Sequence, residues 1–358
     1  MPVRFRLRAP KFIHMHLFIA TGFFITLVSA IFLIFLERKG NFGRDYLEGD
    51  QKFHLNPTPR TGGLAIALSI IISMFISYHE NVYTLIFPAI VLLVPAAYED
   101  IVSSIKPFYR LLLIFLAVFF LVYMNSLEIK NLGLSYLDYF LDIPSVNFLF
   151  TLITLSLLIN SFNVIDGFNG LLSGFCLMVL ASIAFISDNV GEVFVYEMSL
   201  LSIMSILGFF ILNFPYGRIF LGDAGAYFLG ILIGYLVINL TSSSKISVWF
   251  ALSILIYPVY ELVFSMIRKK FFFNSPAMQP DSFHLHMLIH KNLINCNYFK
   301  NKIFCNSSTS IIVWALSLFS IIPSILWYDE SLVLFLVCIL FIFVYTLLYL
   351  KLIALERK

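Results

Sequence analysis

Five polar segments carry the side chains that could do chemistry, and they offer groups suited to phosphates, hard cations and sugars. The first, Lys52-Phe-His54-Leu-Asn-Pro57-Thr-Pro59-Arg60-Thr-Gly62-Gly63, holds three potential phosphate-binding side chains, Lys52, His54 and Arg60. Its prolines and glycines fix a bent, close-packed backbone. A loop carrying only topogenic charge would also read this way. The second is Glu99-Asp100, ten residues before Arg110. Adjacent carboxylates at a membrane boundary are costly unless solvated, paired or metal-bound; an interfacial helix cap is the plain alternative. The third, Asn160-Ser-Phe-Asn163-Val-Ile-Asp166-Gly167-Phe-Asn169-Gly170, places three Asn and one Asp at spacings of three. Such a set can supply oxygen ligands to a hard cation and hydrogen bonds to a sugar, and it exceeds what a tight turn needs. The fourth, Asn213-Phe-Pro215-Tyr-Gly217-Arg218-Ile-Phe-Leu-Gly222-Asp223-Ala-Gly225, sets a lone carboxylate between glycines that let a ligand approach the backbone. The fifth, Pro280-Asp281-Ser-Phe-His284-Leu-His286-Met287-Leu-Ile-His290-Lys291, is histidine-rich. A closed zinc site needs four ligands, and neither a nearby Cys ligand pair nor HExxH is present. Histidines donating to phosphate oxygens fit better. Glu261 and Arg268, seven apart, read as an ion pair or as groups facing water.

These segments must be positioned by elements that lie in lipid. Of 358 residues, 60% are apolar and only 12% charged, about half the charge of a soluble domain (roughly 25%). Mean hydropathy is +0.94. A soluble globular protein and a disordered chain are both excluded. A net charge of +3 is too small to indicate a nucleic-acid partner. The four cysteines show no CxxC spacing, so neither a zinc ribbon nor a disulfide framework is indicated. Eleven apolar runs, near 15–36, 63–78, 83–98, 110–125, 146–160, 170–187, 195–213, 226–241, 246–267, 309–327 and 331–350, predict an all-α integral membrane protein with about 11 transmembrane helices (10–11). The first run is long and lacks a small-residue exit, so no cleavable signal peptide is expected. The whole chain, 1–358, reads as one multispanning domain. Its active-site loops are expected near 37–62, 99–110, 160–170, 213–226 and 268–308.

An odd number of spans puts the termini on opposite sides. With the C-terminus inside, 17 of 23 Lys and Arg fall in cytoplasmic segments, which predicts N-outside, C-inside and places all five segments on the cytoplasmic face. Arg4, Arg6, Arg8 and Lys11 oppose this locally; translation from Met15, or dominance of later loops, would reconcile them. A multispanning transporter would spread its polar residues through mid-membrane, whereas here they sit at span ends.

Taken together, the segments resemble one family, the polyprenyl-phosphate N-acetylhexosamine-1-phosphate transferases of glycosyltransferase family 4. Lys52–Gly63 resembles its first cytoplasmic loop. Asn163-Val-Ile-Asp166-Gly167-Phe-Asn169-Gly170 is similar to its N-x-x-D-G-x-N-G element, and Phe220-Leu-Gly222-Asp223-Ala-Gly225 to its F-x-G-D-x-G element. Asp281 with His284-Leu-His286 resembles its late histidine loop. The motifs run from 45 to 291 in the expected order. The family's paired aspartates appear here as Glu99-Asp100, and Met287 stands where many relatives have a further His. These features are nearest the branch that initiates O-antigen and related surface glycans.

The resemblance implies transfer of a sugar 1-phosphate from a UDP-N-acetylhexosamine to undecaprenyl phosphate in the bacterial inner membrane, releasing UMP. It implies magnesium, with manganese as a substitute, on Asp223 and Asn163. It implies that Asp100 positions or deprotonates the lipid phosphate beside Lys52, that Glu99 tunes Asp100, and that Asp166 and Asn169 orient sugar or uridine. Arg60, His284 and His286 are expected to clamp phosphates, and His54 and Asn213 to bind substrate. A homodimer is compatible with the family. An inactive member of the same fold is the near rival, and intact Asp100, Asp166 and Asp223 argue against it.

Overall fold

Apolar runs about 20 residues long satisfy their own backbone only as helices when lipid surrounds them, and the computed structural model of the chain is built of them. It describes residues 9–40, 43–45, 57–76, 82–102, 105–130, 132–242, 245–272, 282–294 and 302–356. The helices are α1 (Ala9–Gly40), α2 (Gly62–Ile76), α3 (Val82–Ile101), α4 (Pro107–Asn125), α5 (Ser135–Leu141), α6 (Pro144–Ile165), α7 (Leu171–Val190), α8 (Val193–Asn213), α9 (Gly222–Thr241), α10 (Val248–Ile254), α11 (Ile256–Phe272), α12 (Leu285–Leu293), α13 (Lys302–Leu326) and α14 (Ser331–Glu356). A two-residue antiparallel ladder pairs Arg44–Asp45 with Thr58–Pro59.

All eleven expected runs form helices over their described residues. Among the described residues nine helices are long and apolar enough to span a membrane, and α10 with α11 makes a tenth span bent by 73°. The remaining run, α2, has 15 residues, short for a straight crossing of about 30 Å. The chain is thus a multi-pass, all-α membrane protein, with nine to ten full-length spans by length and composition. The cysteine reading needs one correction: Cys305 is disulfide-bonded, which the spacing of the four cysteines did not indicate.

The centre of the bundle is α9. Its best window is 89% buried, against 17% for α1 and 22% for α14, so α9 is surrounded by protein while α1 and α14 face lipid. Small residues allow the close crossings that hold membrane helices together. A Cβ on Gly63 would lie 2.1 Å from the Gly225 Cα, and one on Gly230 would lie 2.9 Å from the Ile159 Cα. Those contacts lock α2 and α6 against α9. They thereby fix the first, third and fourth polar segments relative to one another.

Candidate active site

The helix ends that meet on one face of the bundle are the C-termini of α3 and α6 and the N-termini of α2, α4, α7 and α9. Backbone bonds tie the first polar segment to the fourth: Phe220 N donates to Pro59 O at 2.6 Å, Gly62 N to Phe220 O at 2.9 Å and Gly63 N to Leu221 O at 2.8 Å. The third segment is tied to the fourth through Asn213, whose Oδ1 accepts from Gly170 N at 2.6 Å and whose Nδ2 donates to Ile219 O at 2.7 Å. Asn169 donates its Nδ2 to Pro215 O at 3.1 Å and its backbone N to Asn306 Oδ1 at 2.8 Å. Asn169 and Asn213 were both expected to bind substrate. In the structure these side chains also tie two site loops together through the backbone.

Around this frame stand four carboxylates and two guanidinium groups. Arg60 Nη2 lies 2.9 Å from Asp223 Oδ1 and 3.3 Å from Asp100 Oδ1. Arg110 Nη1 lies 3.4 Å from Asp223 Oδ2 and 3.6 Å from Glu99 Oε1. Burial lowers the proton affinity of the Arg60 guanidinium, but Asp223, Asp100, Asp45 and Asp166 more than compensate and hold it above its ordinary value. Asp166 terminates α6. Burial pushes its carboxyl up to about 7; Arg60 opposes the shift, and Asp223 and Asp100 add to it.

Glu99 and Asp100 diverge, as successive helical residues must. Glu99 turns to Arg110 and accepts from Ile105 N at 3.2 Å. Asp100 turns the other way and accepts from Asp223 N at 3.0 Å and Ala224 N at 2.9 Å. Those are two of the four amide groups that the first turn of any α-helix leaves without an internal partner. Asp100, expected to position or deprotonate the lipid phosphate, is seen here to cap the N-terminus of α9 from α3. Gly222 is the residue that permits this. It has φ +78°, and a Cβ there would fall 2.2 Å from Arg60 O and 2.6 Å from Asp100 Oδ2.

The histidine loop closes the far side. His286 is fully buried, with Nδ1 3.3 Å from Tyr257 OH, and a Cβ on Gly167 would lie 3.2 Å from its Nε2. The His284 and His286 rings stack in parallel, centroids 5.5 Å apart. Glu261 is 1% exposed and lies 2.9 Å from His284 Nδ1, so the expected ion pair with Arg268, or exposure to water, gives way to a buried carboxylate–imidazole pair. Lys52, His54 and Asp281 lie outside the described residues.

Two residues escaped the sequence reading. Arg110 was noted only by its spacing from Asp100, yet it reaches the carboxylate of Asp223. Glu261 was read as an ion-pair partner of Arg268 or as facing water, although a carboxylate inside an apolar run is expensive and ordinarily functional.

The residues present fit a divalent cation. No group of three His, Cys, Asp or Glu is poised around one point among the described residues, but magnesium commonly takes only one or two protein oxygens and completes its shell with water and substrate phosphates. Four carboxylates against two guanidinium groups leave the cluster net negative. Two buried atoms, Glu99 Oε2 and Asn163 Nδ2, have no hydrogen-bond partner. A buried carboxylate oxygen without a hydrogen-bond partner, Glu99 Oε2, suits a site that a hard cation would complete.

Comparison with known proteins decides the family. The family model described as glycosyl transferase family 4 matches residues 82–241, a range that holds Glu99, Asp100, Arg110, Asn163, Asp166 and Asp223. The chain is 30% identical over 233 residues to the phospho-N-acetylmuramoyl-pentapeptide-transferase of Geobacillus thermodenitrificans, covering 59% of this chain and 70% of that protein. The chain belongs to glycosyl transferase family 4. It is also 29% identical over 245 residues to a probable undecaprenyl-phosphate N-acetylglucosaminyl 1-phosphate transferase of Bacillus subtilis, covering 66% of this chain and 67% of that protein. A decaprenyl-phosphate N-acetylglucosaminephosphotransferase of Mycolicibacterium smegmatis is 25% identical over 284 residues, 68% of either chain. Members of the family thus named act on different polyprenyl carriers and, apart from the muramoyl-pentapeptide enzyme, on N-acetylglucosamine donors. The transporter reading is not favoured.

Proposed function

We propose that this chain transfers an N-acetylhexosamine 1-phosphate from a UDP-sugar to a polyprenyl phosphate, undecaprenyl phosphate by preference, and releases UMP. An oxygen of the lipid phosphate attacks the β-phosphorus of the UDP-sugar, and the bond from that phosphorus to the UMP oxygen breaks. The observation that carries the reading is the convergence of Arg60, Arg110, Asp223 and Asp166 at the N-terminus of α9, at one end of the bundle where a lipid headgroup and a soluble nucleotide can meet. The printed names of the relatives support the reaction class.

Two anionic phosphates repel as they approach, so the site must supply positive charge. Arg60 and Arg110 do so: both hold Asp223, and both can exchange that contact for phosphate oxygens. Asp223, with Asn163, would hold magnesium, and manganese would suit the same oxygen donors. When bound, that ion offsets charge on the diphosphate and the departing UMP. Asp100 does not need to take a proton, since a lipid phosphate is already largely ionised near neutral pH; it fixes α9 so that Asp223 points correctly. Asp166 is set to orient sugar or uridine. His284 and His286 are set against the phosphates.

We place this face in the cytoplasm of a bacterial inner membrane, with the N-terminus outside and the C-terminus inside. The charge asymmetry of 17 against 6 Lys and Arg supports that orientation. The product would initiate a lipid-linked surface glycan of the O-antigen type. The test is an assay of the purified chain with undecaprenyl phosphate, magnesium and a panel of UDP-sugars. Lipid-linked product from at least one UDP-N-acetylhexosamine is expected; none from any donor would remove the reading.

A further inference from the structure

A carboxylate inside the bundle must be matched by donors, and Glu261 has three, one of them shared between its two oxygens. Its Oε1 is 2.9 Å from His284 Nδ1 and 3.1 Å from Leu285 N; its Oε2 is 2.9 Å from Tyr345 OH and 3.3 Å from Leu285 N. Leu285 is the first residue of α12, so the same carboxylate anchors the start of that helix and the ring of the residue before it. Groups from the surrounding elements reinforce the arrangement. Tyr345 comes from α14, Tyr257 of α11 contacts His286, and Arg268 of α11 donates to Tyr349 OH at 2.6 Å and to the carbonyl of Phe283, next to His284.

The consequence concerns the imidazole. With Nδ1 held by Glu261, the ring of His284 is fixed in its orientation. A carboxylate behind an imidazole sets its tautomer and fixes its orientation. The ring is stacked in parallel on His286, whose edge lies against Gly167, next to Asp166. We propose that Glu261 is a positioning residue for the transfer reaction, fixing the orientation of the His284 ring at the site. This rests on the transferase reading above. It assigns a reaction role to a residue of α11 whose hydrogen bonds run to His284, Leu285 and Tyr345.

The test is a double-mutant cycle on the full-length enzyme in detergent, using the UDP-sugar that the wild type turns over best. Glu261→Gln keeps an oxygen for Leu285 N and removes the charge. His284→Gln removes the imidazole. Each single change should lower kcat/KM by about 10–100-fold, the range for partners that act through an active-site group. The double variant should lose no more than His284→Gln alone, with the thermal midpoint of Glu261→Gln near that of wild type. Glu261→Asp, which restores the charge, should recover part of the loss. Multiplicative losses in the double variant, with no gain from Glu261→Asp, would overturn the assignment and leave Glu261 a purely structural anchor. Should Glu261→Gln fail to accumulate, the cycle of Glu261→Asp with His284→Gln decides on the same criterion. A wild type inactive with every donor would instead overturn the transferase reading, and this inference with it.

Discussion

Asp100→Asn separates a residue that holds the site from one that touches substrate. In the native site the Asp100 carboxylate accepts from Asp223 N at 3.0 Å and Ala224 N at 2.9 Å and faces Arg60 Nη2 at 3.3 Å. An asparagine has one acceptor oxygen, so it can keep one of the two amides and must turn its own NH2 toward the other. One charge-assisted hydrogen bond is lost, about 1.5–3 kcal/mol. The favourable interaction of a carboxylate with a helix N-terminus goes too, about 0.3–1 kcal/mol. The variant should therefore lose about 2–4 kcal/mol of local stability, seen as a lower thermal midpoint of the detergent-solubilised protein. Asp223 is the residue whose amide is released, so its carboxylate shifts with the first turn of α9. A displacement near 1 Å costs about 10²-fold in rate, and turnover should fall by about 10²–10³-fold. The assay is product formation across a magnesium titration, run beside thermal unfolding. Turnover lost with the thermal midpoint unchanged would refute the capping argument and return Asp100 to direct contact with the lipid phosphate. Neither quantity changing would mean that the cap is dispensable.

Gly222→Ala should reproduce the Asp100→Asn phenotype, because the new methyl group occupies the space of Arg60 O and Asp100 Oδ2 at a φ of +78°. A strained backbone of this kind costs about 1–3 kcal/mol, and near-normal turnover in this variant would contradict the packing described. Arg110→Gln should lower kcat by at least about 10-fold, with stability little changed, since removing a single charge-stabilising donor costs about 10²–10³-fold in well-studied sites; a loss confined to protein level would make Arg110 structural. With chelator present, wild type should lose stability relative to Asp166→Asn as pH rises from about 4 to about 7. The folded state holds the Asp166 proton up to about 7, while the unfolded chain releases it near 4. A difference that shrinks or stays flat over that range would contradict the burial of this carboxyl.

Much of this architecture is legible in the sequence because lipid imposes length and apolarity on every span. All eleven apolar runs became helices over their described residues, and the N-x-x-D and G-D-x-G segments fell at helix ends on one face. Three things were not legible. The 73° break between α10 and α11 lies within a continuous apolar run, where hydropathy carries no sign of direction. The capping of α9 by Asp100 joins residues 123 apart in the chain, and only the packing of α3 on α9 creates it. The loop ties made by Asn169 and Asn213 have the same origin. A side chain amide serves a ligand or a neighbouring backbone equally well, and sequence spacing does not distinguish them. Glu261 was misread for a different reason: its partner His284 lies beyond a polar segment, at the N-cap of another helix.

The central claim is that phosphorus moves with the sugar. The most direct measurement follows a UDP-N-acetylhexosamine labelled in its β-phosphate, incubated with the purified chain, undecaprenyl phosphate and magnesium, with the lipid and aqueous phases counted separately. Transfer of sugar 1-phosphate predicts that the label enters the lipid phase in step with the sugar, while UMP appears unlabelled in the aqueous phase. Sugar entering the lipid with the label left behind in UDP would contradict the account, because the bond broken would then be the one between sugar and phosphate.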